Sequence, residues 1–306
     1  MRGDGVGARS AGPGPVLVMG EALTDLVPAK NGVLRPRPGG APANVAAGIA
    51  RLGGRAVFAG ALGDDAFGRA NEERLRSAGV DLALCAHPSL PTALAMADPG
   101  PHGTRYHFHL RDTATFEVTS RTEGLARYQA VYVGGLAAVV SPAAAAVLAT
   151  ATAAARDSVL AVDPNVRADR TLAPAESRVR LRRLAALADV LKVSDEDARQ
   201  LWPSSSTETE CRARAAEGRL VLLTLGPKGS TAFLPAGGEV SVPAEPLTRP
   251  DTIGAGDAFM AAILARLSDT GALTRAGLSA LSEADAEDLL RHAASTAAHA
   301  CGRREF

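Results

Sequence analysis

In the segment Asp251-Thr-Ile-Gly-Ala-Gly-Asp-Ala-Phe259, Gly254, Ala255 and Gly256 leave the backbone bare just ahead of an apolar helical stretch, Ala258–Leu267. A bare turn that opens a helix aims unpaired N–H groups and the positive end of the helix dipole at one point in space. An anion held there would lie beside the Asp257 carboxylate. That is repulsive for a static phosphate, but it makes sense if the carboxylate takes a proton from an acceptor hydroxyl, which is the arrangement phosphoryl transfer needs. A base within hydrogen-bond reach contributes about 10²–10⁴-fold in rate, and each donor to developing anionic charge is worth roughly 3–4 kcal/mol. Gly-x-Gly-Asp read alone is equally a flexible loop followed by a first-turn acid that stabilises a helix start.

A second segment, Pro38-Gly-Gly-Ala-Pro-Ala-Asn44, also enters a helix, with Pro42 in the early position that tolerates a missing N–H. Its paired glycines admit a ligand to the backbone, and Asn44 one turn in offers a polyol both a donor and an acceptor. The plain alternative is an ordinary helix entry.

The elements that must carry these residues alternate along the chain. Val16–Met19, Ala56–Ala61, Val131–Gly134, Val159–Val162, Val190–Val193 and Leu220–Leu225 are apolar throughout, as strands of a parallel sheet covered on both faces are. Helical stretches are expected at Ala43–Leu52, Asp65–Ala78, Pro142–Arg156, Glu176–Ala188, Asp195–Leu201, Ala255–Leu267 and Ala284–Cys301. The alternation predicts an α/β fold with a doubly wound, mainly parallel central sheet and helices on both faces, and such folds bind ligands beyond the carboxyl ends of their strands. Two segments interrupt it and are expected to form a small β-lid, over about 27–38 and 91–112. In Arg105-Tyr-His-Phe-His-Leu110 strict alternation puts Tyr106, Phe108 and Leu110 on one face and Arg105, His107 and His109 on the other. The two histidines read as a solvated or interface face and are left out of the site. Residues 1–14 read as a disordered tail, and 15–306 as the folded unit.

Thirty-three basic residues balance thirty-three acidic ones among 306, so no global field exists to hold nucleic acid or an acidic membrane surface. Cys85, Cys211 and Cys301 are scattered and odd in number, against both a disulfide framework and a structural zinc site, and a reducing cytoplasm is expected. No signal-like or membrane-spanning run is apparent. The first strand leads into Gly20-Glu-Ala-Leu-Thr-Asp25 and not into Gly-x-Gly-x-x-Gly, which argues against a nicotinamide site.

Seven segments in order carry a resemblance: Gly20–Asp25, Gly39–Asn44, Gly63-Asp-Asp-Ala-Phe-Gly68, Asp163-Pro-Asn-Val-Arg167, Lys192-Val-Ser-Asp-Glu196, Thr224-Leu-Gly-Pro-Lys-Gly229 and Asp251–Asp257. Over about Val16 to Ala300 the chain resembles the ribokinase (PfkB-type) carbohydrate kinases, most of all the fructokinase and 2-keto-3-deoxygluconate kinase branch. The resemblance implies an ATP-dependent sugar kinase with Asp257 as catalytic base and Gly254, Ala255 and Gly256 as the anion hole. It implies sugar-binding roles for Asp25, Gly39, Gly40 and Asn44, and nucleotide-binding roles for Lys192, Ser194, Thr224, Gly226 and Gly229. Where the family has Asn-x-x-Glu to order magnesium-bound water, this chain has Ser194 and Asp197 with Glu196 adjacent; Ser-x-x-Asp is also a plain helix-capping pattern. A monovalent cation, potassium, is implied near Asp251, although the ending Cys301-Gly-Arg-Arg-Glu-Phe306 departs from the family's usual loop.

Arg167 and Arg111 are the residues that discriminate among acceptors. Two guanidiniums meeting in one pocket would suit a carboxylate and favour 2-keto-3-deoxygluconate, whereas the Gly20–Asp25 and Lys192–Asp197 segments resemble fructokinases more. Fructose ranks first, then 2-keto-3-deoxygluconate, then ribose or a nucleoside. A catalytically inactive sugar or nucleotide sensor is the non-enzyme alternative, and the retained Asp257 and glycine turn speak against it. An exposed edge of the lid is the expected surface for a homodimer.

Overall fold

The computed structural model describes residues 14–100, 103–167, 169, 172–246 and 254–302. In chain order these form β1 (Val16–Met19), β2 (Leu23–Pro28), β3 (Leu34–Gly39), α1 (Ala41–Arg51), β4 (Ala56–Ala59), α2 (Ala66–Ser77), β5 (Leu94–Gly100), β6 (Gly103–His109) and β7 (Ala130–Gly134). The second half continues with α3 (Ala143–Asp157), β8 (Val159–Asp163), α4 (Pro174–Leu187), β9 (Val190–Ser194), α5 (Asp195–Leu201), α6 (Thr207–Ala216) and β10 (Leu220–Thr224). It closes with β11 (Ser230–Phe233), β12 (Glu239–Val242), α7 (Ala255–Asp269), α8 (Arg275–Ser279) and α9 (Glu283–Gly302).

The apolar runs become a sheet ordered β12-β11-β10-β9-β8-β7-β1-β4, parallel from β4 through β10, with β11 and β12 added antiparallel at one edge. The continuous hydrophobicity of these strands has the expected cause. Val16–Met19, Val131 to Val133 and Val159–Val162 are all buried, because helices cover both faces and create one apolar cluster on each side. β1 lies between β4 and β7, so the winding reverses beside it. The crevice at such a reversal, past the carboxyl ends of the strands, is where this topology leaves room for a ligand.

A separate small sheet has the order β3-β2-β5-β6. Its first strand starts at Leu23 and pairs with β3 as far as Gly39, so Asp25 rides on a strand of the small sheet, opposite Arg37. On β6, Tyr106 and Phe108 are half-buried against the core while His107 and His109 are exposed, the two faces that alternation predicts. The Gly63–Gly68 motif fastens α2 to this sheet: Asp65 caps the helix by accepting from Gly68 N at 2.7 Å and also accepts from Thr92 N at 2.8 Å. Helix α6 has no counterpart among the expected helices, because its Thr207–Ala216 stretch is mostly polar and lacks an apolar stripe. Ser206 nonetheless caps it, and it buries only Cys211 and Ala215.

Candidate active site

Helix α7 begins without a side-chain cap: Gly254 occupies the cap position at φ +81°, a left-handed conformation that a Cβ would strain. The first intrahelical bond runs from Ala258 N to Gly254 O at 2.9 Å, so the N–H groups of Ala255, Gly256 and Asp257 precede the ladder and are open to an anion. Lys192 Nζ lies 3.1 Å from the point a Cβ on Gly256 would occupy. The bare turn therefore sits on an ammonium as well as on a helix dipole.

That ammonium belongs to a buried pair. On adjacent strands β8 and β9, Lys192 Nζ donates to Asp163 Oδ2 at 2.8 Å, with side chains 6% and 0% exposed. Burial pulls the ammonium pKa down, but Asp163 and then Asp197 outweigh it, and Lys192 stays charged.

Asp257 is buried, and Asn44 Nδ2 donates to its Oδ2 at 2.7 Å. Burial pushes its pKa above the ordinary aspartate value, while the Asn44 hydrogen bond and the charges of Lys192, Arg167 and Arg74 restrain the rise. A base shifted in that direction is a better proton acceptor than a free carboxylate. Asp25, brought in by β2, is raised to about 6, first by burial and then by the nearby Asp257 charge, with Arg167 opposing. Gly39 makes room for it, since a Cβ there would run into Asp25 Oδ2. Gly40 is the cap residue of α1 and sits against the backbone of Glu21. The structure thus brings Asp25, Gly39, Gly40, Asn44, Arg167, Lys192 and the Gly254–Asp257 turn into one neighbourhood.

Ser194 and Thr224 are register partners at the carboxyl ends of β9 and β10, and Gly226 and Gly229 bound the turn between β10 and β11. Ser194 and Asp197 form a reciprocal capping box on α5, and Asp197 Oδ1 also accepts from Val166 N at 2.8 Å. Glu196 is exposed in the same turn. Among the described residues no cluster of three carboxylate, histidine or cysteine side chains could hold a metal ion. Both oxygens of the buried Asp197 already accept backbone N–H groups, which leaves the exposed Glu196 as the open carboxylate of this turn, and the pair does not make an all-protein cage. Asp251 lies outside the described residues.

Arg111 is not brought to this centre. It is exposed and lines a separate recess of about 960 Å³ against Phe108, Phe116, Val139 and Arg180, a recess whose lining includes neither Asp257 nor Asn44.

Three participants escaped sequence reasoning. Glu21 is buried, accepts from Leu136 N at 3.0 Å and Ala137 N at 2.9 Å, and so joins the ends of β1 and β7. Burial raises it to about 7 despite these bonds. Asp163 was visible only as part of a motif, although a lysine inside the apolar run Val190–Val193 signals a buried partner. Arg74, on α2, donates through Nη2 to Asn44 Oδ1 at 2.7 Å, and nothing in the local sequence points to it.

The chain matches the profile of the pfkB family carbohydrate kinases over residues 15–305. A fructokinase of Klebsiella pneumoniae is 36% identical over 267 residues, 84% of this chain and 86% of that protein. Among solved structures, the fructokinase of Vibrio cholerae with fructose, ADP and calcium ion bound superposes with a TM-score of 0.79 at 29% identity, covering 95% of this chain and 94% of that one. A double mutant of that protein with fructose, ADP and potassium ion gives 0.79 at 28%, covering 97% and 94%. The fructokinase of Xylella fastidiosa with bound ATP gives 0.85 at 25%, covering 95% and 92%.

Proposed function

This chain belongs to the pfkB family of carbohydrate kinases, and from that premise we propose that it transfers the γ-phosphoryl group of ATP to a hydroxyl of fructose. The observation that carries the reading is the buried Asn44–Asp257 hydrogen bond at the uncapped start of α7, with the Lys192 ammonium beside the same turn. Asp257 takes the proton of the sugar hydroxyl as its oxygen bonds to the γ-phosphorus. The bond from that phosphorus to the bridging oxygen breaks, and the electron pair leaves with ADP. The Ala255, Gly256 and Asp257 N–H groups and Lys192 meet the charge that spreads over the transferring oxygens. Asp25 and the backbone at Gly39 and Gly40 hold sugar hydroxyls, so that a sugar lacking them leaves buried polar groups unpaired. Ser194, Thr224 and the Gly226–Gly229 turn line the nucleotide side. Magnesium, when bound, would neutralise phosphate charge, and Asp197 and Glu196 are the carboxylates that would order its waters.

Fructose is favoured over 2-keto-3-deoxygluconate because Arg167 and Arg111 do not converge: Arg167 acts on Asp25 and Asp257, while Arg111 lines the other recess. No helix among the described residues is long and apolar enough to cross a membrane, and Cys85 and Cys211 are free thiols, which fits a reducing cytoplasm. The exposed Val33 and Leu34 at the β3 edge of the small sheet fit pairing with a second copy.

The test is ADP release with fructose, 2-keto-3-deoxygluconate, ribose and a nucleoside, with and without magnesium, alongside Asp257→Asn. Fructose is expected to support turnover that requires magnesium, and the Asn variant is expected to lose about 10²–10⁴-fold in kcat while folding normally. Turnover with none of the four, or an Asn variant at full rate, overturns the reading.

A further inference from the structure

Helix α2 sends one long side chain into the centre described above, and it is a charged one. Arg74 Nη2 donates to Asn44 Oδ1 at 2.7 Å, Asn44 Nδ2 donates to Asp257 Oδ2 at 2.7 Å, and the three residues form a linear chain from α2 through α1 to α7. An amide has one acceptor and one donor end. With a guanidinium held against its oxygen, the Asn44 side chain can present only its NH₂ to Asp257. Turned the other way, it would set its carbonyl oxygen against the carboxylate and its NH₂ against the cation, and both contacts would be repulsive.

The cost of this placement argues that it is not there for stability. Arg74 Nη1 is buried with no partner among the described residues, and burial pulls the guanidinium pKa down to about 10. A buried cation with a bare nitrogen carries a desolvation cost that its hydrogen bond to Asn44 offsets only in part. What the cation does supply reaches the centre in two ways: a fixed donor to Asp257 through Asn44, and a positive charge felt by Asp257 and by Asp25.

We propose that Arg74 is a positioning residue for the phosphoryl transfer, locking the Asn44 amide so that the Asp257 carboxylate is held ionised and aimed as the base. This inference rests on the reading of Asp257 as base. The charged and titratable groups that face Asp257 are Lys192 from β9, Asp163 from β8, Arg167 from the loop after β8, Glu21 from the loop after β1, Asp25 from β2, Tyr132 from β7 and Arg74 from α2. Removing Arg74 takes one cation from this set and leaves the others in place. Asp257 then holds its proton more tightly, and the acid limb of the rate profile moves to higher pH.

The experiment compares wild type with Arg74→Met, Arg74→Gln and Arg74→Lys, recording kcat and kcat/KM for fructose phosphorylation against pH, and the melting temperature. Arg74→Met loses both the charge and the lock. Its acid limb is expected to rise by about one pH unit, and its plateau kcat to fall about tenfold or more as the carboxylate loses its aim, with a modest loss of melting temperature because the buried Asn44 Oδ1 loses its donor. Arg74→Gln is uncharged and two atoms too short to reach Asn44 Oδ1, so its limb and plateau are both expected to follow Arg74→Met. Arg74→Lys keeps the charge, and its limb is expected to stay near wild type. An acid limb and plateau in Arg74→Met that match wild type overturn the inference, as does a Gln variant that behaves like wild type in both. Asp257→Asn, run in parallel, separates the two levels. If it is inactive while the Arg74 variants match wild type, only the positioning role fails; if it is active, the base reading itself fails.

Discussion

Substituting Lys192 by Met tests the site and the fold together. The ammonium is 6% exposed and bonds a carboxylate, Asp163, that is fully buried, with Asp163 Oδ1 lacking any partner among the described residues. Taking the cation away strands that carboxylate in apolar surroundings beside Asp197 and Asp257. Removing one partner of a buried pair costs about 3–5 kcal/mol, a large part of the roughly 5–15 kcal/mol that holds a domain together. The urea midpoint of Lys192→Met is therefore expected to fall steeply and its melting temperature by roughly 10 °C. Replacing both partners, Lys192→Met with Asp163→Leu, removes the stranded charge and is expected to restore the unfolding free energy to within about 1–2 kcal/mol of wild type. Activity follows the other branch of the argument. Nζ sits at the Gly256 turn, where charge builds on the transferring group, and losing such a donor costs about 3–4 kcal/mol, or roughly 10²–10³-fold in kcat. The double variant should be stable and slow. Urea unfolding and ADP release on the three proteins decide the matter. A single variant as stable as wild type refutes the burial argument, and a double variant that recovers its rate along with its stability refutes the catalytic one.

Two further outcomes follow from the same geometry. Gly39→Ala pushes Asp25 Oδ2 aside, so KM for fructose is expected to rise about tenfold with kcat changed less, the sign of lost binding and not of lost chemistry. Glu21 is fully buried with a folded pKa of about 7 against an ordinary 4.5, so the folded state holds its proton where the unfolded state has released it. Its contribution to stability is complete below about pH 4.5 and is lost as pH rises to about 7. The gap between 4.5 and about 7 corresponds to roughly 3 kcal/mol. Denaturation of wild type and Glu21→Gln across that window should show wild type losing ground; a constant difference would remove Glu21 from the account.

The sequence makes the large sheet easy to read because wholly apolar runs have one good home, a parallel sheet covered on both sides. Asp257 is legible for a related reason: a helix that opens on Gly-Ala-Gly must do something with its bare amides. Asp25 is harder, since its strand has no clean alternation and ends on Pro28, and the room for its carboxylate depends on Gly39 fourteen positions away in the chain. Lys192 gave half a signal, a cation in an apolar strand, but its partner on the neighbouring strand is fixed by sheet register. Arg74 gave none: on α2 it reads as one more solvated charge beside Glu72, Glu73 and Arg76, and only the packing of α2 over α1 turns it inward. Local chemistry is written locally, while the contacts that tune it come from whichever element lands alongside.

Asp25 and Asp257 belong to different bodies, one on the small sheet and one on a helix clamped between α1 and α9 in the large layer. A sugar long enough to touch both carboxylates ties the two bodies together by occupying the space between them. Whatever loosens the small sheet from the helix therefore loosens the grip on substrate at Asp25 and its alignment with Asp257 at one stroke.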